Sequence, residues 1–367
     1  MQISNVDVTT VEIPLADPKR FGSRSASARY YTIVEIETKS GVKGFGYCWG
    51  IPAVSIVIEM CKQHLIGETV TATTRIWQKL YHSLAVMDRR GIAGRALGAI
   101  DVALWDIIGK MANLPIYQLI GGFRDEVQAY FSGGYYPVSC KTEKDLLNFM
   151  ENEFGSYHAK GFTAFKMKIG GMSTTFDLER IKLAREVIGP KSLLMVDANN
   201  VYDVKTAIRF AEQFEKYDIE WFEEPCAVDQ LNNCAEIAAK VSMPVAIGEN
   251  HFTRWDFKEI IESRAASILQ GDPTLMGGIT EWLNLAGVAA MYGITLAPHW
   301  THDVNVHVAL ARSEVKIVEY FEAEADVFNV QNIFANPVKA RNGMITAAKG
   351  SGHGLELDKA AVAHYRV

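Results

Sequence analysis

Side chains that can carry charge recur at the ends of seven short apolar runs between residues 166 and 319. The seven runs end at Lys168, Asp197, Glu223, Glu249, Asp272, His299 and Glu319. Neighbours in this series are 20 to 29 residues apart, about the length of one strand, one helix and two short loops. The pattern predicts repeated strand and helix units whose charged groups meet at one end of a barrel, where such folds place their chemistry.

Three of these residues form a predicted metal site. Asp197, Glu223 and Glu249 end consecutive strands, and because neighbouring strands lie about 4.8 Å apart, their carboxylates can converge on one point. Unscreened carboxylates repel each other, and an all-oxygen site with room for water and substrate suits Mg²⁺, with Mn²⁺ as a substitute. The alternative is that they are ordinary salt-bridge acceptors, which is disfavoured because no Arg or Lys ends the matching strands.

Two groups of titratable side chains flank this site in the predicted barrel. Lys166 and Lys168 lie two apart on one strand, so both point to the same face. Each raises the cost of protonating the other, which predicts a lowered pKa and a general-base role for Lys168, while Lys166 stays cationic and contacts a substrate carboxylate. Asp272 and His299 end adjacent strands on the far side, which predicts that the acid orients the imidazole and raises its basicity.

Two proton-transfer groups on opposite sides of a metal-held carboxylate define a reaction class. The predicted reaction removes the proton α to a substrate carboxylate, and Mg²⁺, Lys166 and Glu319 stabilise the resulting enediolate. Glu319 is expected to be protonated, because only a neutral carboxylic acid can donate a hydrogen bond to that anion.

The composition limits the partners and the compartment. The chain has 367 residues, a net charge of −6 and a pI of about 5.9, so no basic field exists to attract nucleic acid or anionic lipid. Its five cysteines include no Cys-x-x-Cys pair, which is typical of free thiols in a reducing compartment. Neither a signal peptide nor a membrane-spanning run is apparent. We therefore expect a cytoplasmic enzyme that binds a small carboxylate substrate and neither nucleic acid nor a membrane.

Strand-like runs alternate with helical stretches through most of the chain. The eight runs are Val127 to Phe131, Phe162 to Ile169, Leu193 to Val196, Ile219 to Phe222, Val245 to Ile247, Ile268 to Gln270, Ile294 to Ala297 and Val315 to Tyr320. Alternation favours a parallel α/β sheet, and eight strands favour a closed (β/α)8-type TIM barrel. An open doubly wound sheet is the alternative, but no G-x-G-x-x-G follows the first strand and no P-loop is present.

The residues before the barrel predict a separate module. Runs that alternate in character between Val6 and Trp49 indicate an antiparallel meander, and helical periodicity follows from Ile76 onward. We predict an α+β capping domain formed by residues 1–123 and completed by about 335–367, with the barrel in residues 124–334.

Motifs along nearly the whole chain resemble the enolase superfamily, and within it the mandelate racemase subgroup. The matching motifs are Ala99-Ile100-Asp101-Val102-Ala103-Leu104-Trp105-Asp106, Lys166-x-Lys168, Asp197-x-Asn199, Glu223-Glu224-Pro225, Gly248-Glu249-Asn250, Asp272 before Gly277-Gly278, Pro298-His299, and Glu319. The resemblance implies metal ligands at Asp197, Glu223 and Glu249, bases at Lys168 and His299, the histidine partner at Asp272 and an electrophilic acid at Glu319. It also implies a homo-oligomer.

The resemblance further implies that two loops close over the site and select the substrate. They lie near Phe21 to Ala28, which reads as a mobile polar loop, and near Trp49 to Ile51. With these loops, the expected substrate contacts are Arg24, Trp49 and Asn199, in addition to Lys166.

The subgroup contains racemases and acid-sugar dehydratases that use the same two bases. Sister subgroups carry a second lysine in place of the Asp272 and His299 pair, which disfavours muconate lactonisation and dipeptide epimerisation. The arginine-bearing loop favours dehydration of an aldonate or aldarate to a 2-keto-3-deoxy acid. Racemisation, epimerisation or cycloisomerisation of a 2-hydroxy acid or sugar lactone is the alternative, and an inactive metal-binding barrel is a second one.

Overall fold

The computed structural model describes residues 1–367, and its first part is an antiparallel sheet followed by four helices. These elements are β1 (Ile3–Phe21), β2 (Arg24–Thr38), β3 (Lys43–Trp49), α1 (Pro52–Leu65), α2 (Thr73–Leu84), α3 (Gly91–Ala112) and α4 (Ile116–Leu119). In the sheet β2 lies between β1 and β3. The α+β capping module predicted from the alternation is confirmed.

The predicted mobile loop from Phe21 to Ala28 is wrong, because these residues continue the first two strands. Phe21 pairs with Arg24 across a two-residue turn at Gly22 and Ser23. Gly22 has a φ of +51°, a conformation that glycine adopts without steric cost. A strand end that is exposed on both faces needs no alternation of apolar residues, so its composition resembles that of a loop.

The second part is a ring of parallel strands wrapped by helices. Its elements are β4 (Val127–Gly133), β5 (Tyr136–Pro137), α5 (Glu143–Ala159), β6 (Ala164–Lys168), α6 (Thr174–Ile188), β7 (Leu193–Asp197), α7 (Val204–Phe214), β8 (Ile219–Glu223), α8 (Leu231–Lys240), β9 (Val245–Ile247), α9 (Thr253–Ser263), β10 (Ile268–Leu269), α10 (Pro273–Met276), α11 (Ile279–Tyr292), β11 (Thr295–Leu296), α12 (His302–Ala311) and β12 (Ile317–Tyr320). Among these, β5 lies outside the ring, because it pairs antiparallel with β1 and extends the first sheet.

The order of the strands distinguishes a barrel from an open sheet. The ladder runs β11-β10-β9-β8-β7-β6-β4-β12, so the first and last barrel strands are neighbours. A single parallel bridge between Leu296 and Val315 joins the remaining two strands. The eight predicted strands are present, and the prediction of an α/β barrel is confirmed. The open doubly wound alternative is excluded because β4 pairs with β12.

The tail after the barrel contacts both modules. The tail contains 3-10 helices at Ala323–Ala325 and Val330–Ile333, then β13 (Met344–Ile345) and α13 (Lys359–Tyr365). A further 3-10 helix, Glu215–Tyr217, connects α7 to β8 within the barrel. β13 pairs with barrel strand β4, whereas Arg366 bridges to Val11 in β1. The predicted domain boundaries stay a prediction. None of the helices is both long enough and apolar enough to cross a membrane.

Apolar side chains plug the barrel below its charged end. One buried cluster takes a residue from seven of the eight strands, and Ala297 directly after β11 is its eighth member: Tyr130, Ala164, Met195, Trp221, Ala246, Ile268, Ala297 and Ile317. Residues two positions further along a strand point to the same face. Those positions include Lys166, Asp197, Glu223, His299 and Glu319. The charged groups therefore form the next layer toward the carboxyl ends of the strands.

Helix α3 holds the capping module against this end of the barrel. Gly98 lies so close to α10 that an added Cβ would lie 2.9 Å from the Pro273 carbonyl oxygen and closer still to that of Thr274. Asp101 accepts hydrogen bonds from the Thr280 backbone nitrogen at 2.8 Å and from its hydroxyl at 2.6 Å. Because Asp272 caps α10 by accepting from the Thr274 backbone nitrogen, the close approach of α3 fixes one wall of the charged layer.

Substitution of Gly98 tests whether this contact stabilises the fold. We expect Gly98→Ala to destabilise the protein by ~1–3 kcal/mol, because the methyl group must displace backbone atoms. Gly287→Ala is the matched control: it is also a helix-interior glycine, with no atom within 4 Å of the added Cβ, and should be neutral or stabilise by up to ~1 kcal/mol. Urea unfolding measures both. Equal effects of the two substitutions would contradict the close packing.

Candidate active site

Asp197, Glu223 and Glu249 lie together at the carboxyl end of the barrel. Oxygen atoms of the three side chains all lie within 4.8 Å of one another, and the side chains of Asp197 and Glu223 are fully buried. Asp197 pairs directly with Glu223 in the β7 and β8 ladder, because parallel strands in register bring equivalent positions side by side. A donor set made only of carboxylate oxygens fits a hard divalent cation such as Mg²⁺.

Unsatisfied acceptors at the same place agree with that fit. Glu249 Oε2 and Asn199 Oδ1 are buried and accept no hydrogen bond. Asn199 instead donates from its backbone nitrogen to Asp197 Oδ1 at 2.8 Å. Burying an acceptor without a partner is costly, and a cation among the three carboxylates would satisfy Glu249 Oε2.

The two lysines are the counter-charges of the carboxylates. Lys166 Nζ lies 2.6 Å from Glu223 Oε1, and Lys168 donates to Asp197. Burial lowers the pKa of Lys168, but the Asp197 carboxylate raises it, and the net pKa lies above the usual range. The predicted lowering is therefore wrong for this arrangement, because the charge nearest to Lys168 is a carboxylate and not Lys166. The pKa of Lys166 is likewise raised by Glu223 against the effect of burial.

His299 lies on the opposite side of the carboxylates from the lysines. Its Nε2 is 3.2 Å from Glu249 Oε2. Its Nδ1 is 3.9 Å from Asp272 Oδ2, which is too far for a hydrogen bond. Asp272 Oδ1 accepts instead from the hydroxyls of Thr274 and Thr301, both at 2.8 Å. Asp272 and His299 are thus close but not hydrogen-bonded to each other, because Asp272 accepts its hydrogen bonds from the two threonines.

Glu319 is ionised in this arrangement, contrary to the prediction of a protonated acid. Burial raises its pKa, but Lys166, His299 and Lys168 lower it to about 2. Its Oε1 lies 2.8 Å from Lys166 Nζ, and its Oε2 accepts from the Trp300 backbone nitrogen at 2.7 Å. An ionised carboxylate cannot donate a hydrogen bond. Glu319 therefore acts in the site through its contact with Lys166.

Other residues that support the carboxylates were not predicted. Glu223 Oε2 accepts from Trp221 Nε1 at 2.9 Å and from Gln270 Nε2 at 2.7 Å. Glu224 accepts from Asn250 Nδ2 at 2.7 Å. The sequence does hold a signal for Gln270. It lies two residues after Ile268, and so in the layer that follows the apolar layer of the barrel. A neutral polar residue in such a position is a weaker signal of a functional role than a charged residue.

The predicted substrate contacts are only partly brought together. Asn199 and Lys166 are in the site, and the Gly22 turn lies over Asn199, because a Cβ added to Gly22 would be 3.1 Å from Asn199 Cβ. Arg24 is exposed and makes no polar contact with the rest of the chain. The Trp49 ring packs against Trp300, with centroids 5.6 Å apart, and therefore adjoins His299.

Known proteins with this architecture were compared with the chain. Residues 3–121 match the mandelate racemase / muconate lactonizing enzyme N-terminal domain, and residues 150–361 match the enolase C-terminal domain-like family. The arabinonate dehydratase of Saccharolobus solfataricus is 36% identical over 90% of this chain and 89% of its own length. The D-galactarolactone cycloisomerase of Agrobacterium fabrum is 33% identical over 100% of this chain and 99% of its own length.

A solved structure agrees over the whole chain. The crystal structure of a racemase from Streptomyces coelicolor with bound magnesium superposes with a TM-score of 0.92, covers 100% of both chains and is 27% identical. Together with the two domain matches, this likeness confirms the predicted family. The chain belongs to the enolase superfamily, and within it to the mandelate racemase subgroup.

Proposed function

We propose that the chain is a Mg²⁺-dependent hydro-lyase that removes water from a sugar acid and yields a 2-keto-3-deoxy acid. The observation that carries the proposal is the placement of two basic side chains on two sides of one carboxylate cluster. Lys168 contacts Asp197, and His299 Nε2 lies 3.2 Å from Glu249. A substrate carboxylate held at the cluster would therefore have one proton-transfer group on each side.

Asp197, Glu223 and Glu249 would hold the cation. When bound, Mg²⁺ supplies Lewis-acid stabilisation of the charge that develops on the substrate carboxylate. Lys166 adds a fixed positive charge at the same carboxylate, since its own pKa stays high between Glu223 and Glu319. Glu319 positions Lys166 rather than donating a proton.

The proton transfers balance with these residues alone. A cation bound by Asp197 would offset the carboxylate charge that raises the pKa of Lys168, so that its amine can be neutral. That neutral amine takes the proton from C2, and the electron pair of the C–H bond forms the enediolate. The pair then forms the C2–C3 double bond as the C3–O bond breaks, and the protonated imidazole of His299 gives the leaving hydroxide its proton, so that water departs. The enol that remains tautomerises to the 2-keto acid.

Cycloisomerisation is the second candidate, and the 33% identity to a D-galactarolactone cycloisomerase over the whole chain favours it. The same α-proton is removed, but the leaving oxygen at C3 stays attached to the molecule. The product then has the same mass as the substrate. The residues of the site serve both reactions, since they differ only in what the leaving oxygen is bonded to.

Product analysis tests the reaction class. We expect a panel of aldonates and aldarates incubated with Mg²⁺ in D₂O to give a 2-keto acid lighter by one water for at least one substrate, detected by a carbonyl reagent and by mass. When sugar lactones are added to the panel, a keto acid that has lost no water and differs in mass from its substrate only by exchanged deuterium indicates cycloisomerisation. Deuterium at C2 without a keto acid indicates racemisation, and no change with any substrate would favour an inactive barrel.

Replacement of the proposed base tests its role. Lys168→Ala is expected to lower kcat by about 10²- to 10⁴-fold and to abolish deuterium exchange at C2, because no other amine is placed to take that proton. Lys182→Ala is the control, since Lys182 is an exposed lysine paired only with Glu186, and its kcat should not change. Retained exchange in Lys168→Ala would refute the assignment.

Calorimetric titration with Mg²⁺ tests the ligand set without turnover. We expect Glu223→Gln to weaken Mg²⁺ binding by roughly 100-fold or more, since loss of even an outer-shell partner costs about 10- to 100-fold. Glu220→Gln is a matched control on the same strand, because Glu220 is exposed and lies outside the cluster. Equal Mg²⁺ affinity in both variants would remove Glu223 from the set.

A further inference from the structure

Arg29 is a buried cation without a counter-ion. It lies in β2 with 3% of its surface exposed, and it forms no ion pair with any carboxylate of the chain. Its Nε donates to the Val327 carbonyl at 3.2 Å, while its two Nη groups donate to no protein acceptor. Burying an unpaired charge is costly, so these Nη groups are available to an anion that the protein itself does not provide.

Aromatic rings surround this guanidinium and leave it charged. Its Cζ lies 5.0 Å from the centroid of Trp300, 5.5 Å from that of Phe21 and 5.9 Å from that of Trp49. Ring faces stabilise a cation without neutralising it. A second arginine, Arg95, lies 4.9 Å from the Trp49 ring and also has no carboxylate partner. Positive charge is therefore concentrated around Trp49.

The same rings connect Arg29 to both proposed bases. The Trp300 ring stacks on the His299 ring at a centroid distance of 5.7 Å. On the other side, the Phe21 ring lies 5.9 Å from the Tyr135 ring, and Tyr135 lies 5.2 Å from Lys168 Nζ. Arg29 thus lies at the border of the site, behind these rings and away from the carboxylate cluster, where it could contact only the part of a substrate that is not held at the cluster.

We propose that Arg29 receives a second carboxylate of the substrate, so that the preferred substrate is a sugar diacid and not the matching monoacid. This inference rests on the proposed function, because it takes one carboxylate of the substrate to be held at Asp197, Glu223 and Glu249. Guanidinium and carboxylate form paired, charge-assisted hydrogen bonds, which distinguish a carboxylate from a terminal hydroxyl.

Equilibrium binding to the Lys168→Ala chain with Mg²⁺ tests the inference without turnover. We expect calorimetric titration to show that an aldarate binds roughly 10- to 100-fold more tightly than the aldonate of the same configuration. Arg29→Gln in this chain should remove that advantage and leave the aldonate affinity unchanged, and Arg29→Lys should restore part of it. Arg209→Gln, at an exposed arginine on the outer barrel helix α7, should change neither affinity.

Other outcomes overturn the inference or separate it from the proposed reaction. Equal affinity for the two acids before Arg29 is changed, or equal weakening of both acids by Arg29→Gln, leaves Arg29 a structural residue. If the aldonate is nevertheless dehydrated in a Lys168-dependent way, the proposed function stands alone. If the diacid advantage depends on Arg29 but no keto acid forms in the unaltered chain, the proposed reaction fails and the diacid site remains. Binding of neither acid contradicts both.

Discussion

Electrostatic repulsion among three buried carboxylates is the constraint on which the active end of this barrel depends. Asp197, Glu223 and Glu249 have oxygens within 4.8 Å of one another, where burial increases the repulsion between like charges. Basic side chains lie on two sides of this cluster, Lys166 and Lys168 from one strand and His299 from another. The same three negative charges that destabilise the fold on their own create a strong preference for a dication. Binding and stability are therefore linked through the same atoms.

The backbone that holds this cluster is less adaptable than its side chains. An apolar layer below it takes one residue from each strand or from the position directly after it, and the charged layer follows two residues later on most of the same strands. A slip of one residue in any strand would exchange an inward charge for an outward apolar side chain. On one side, α3 approaches through Gly98 without an intervening side chain. Strand register and backbone contact thus set where each charged residue lies. The side-chain rotamer adjusts only the final position of its charged atoms.

The sequence predicts the barrel well because apolar runs that end in a titratable side chain recur at the spacing of strand and helix units. It predicted the three carboxylates for the same reason, since each interrupts an otherwise apolar run. The protonation states of Lys168 and Glu319 were predicted wrongly, because they depend on which opposite charge is nearest in space, and strand order alone does not give that distance. The end of the hairpin at Phe21 resembles a loop in the sequence, because an exposed strand end carries no periodic signal. Gln270 and Trp221 were missed because neutral polar groups do not stand out along the chain.

The attachment of the hairpin to the segment after the last barrel strand has a consequence for synthesis of the protein. The backbone nitrogen of Ala16 donates to Asp326, Arg29 donates to Val327 and Tyr31 donates to Asn329, across 310, 298 and 298 residues. Contacts between such distant residues form late, because both partners must first exist and then meet. While the ribosome is still adding the last barrel strand, the hairpin has no packing partner at this edge. The wall that carries Arg29 is completed only after residues 326–329 have been synthesised, so a truncated product that ends before Asp326 would have the carboxylates but lack a finished pocket.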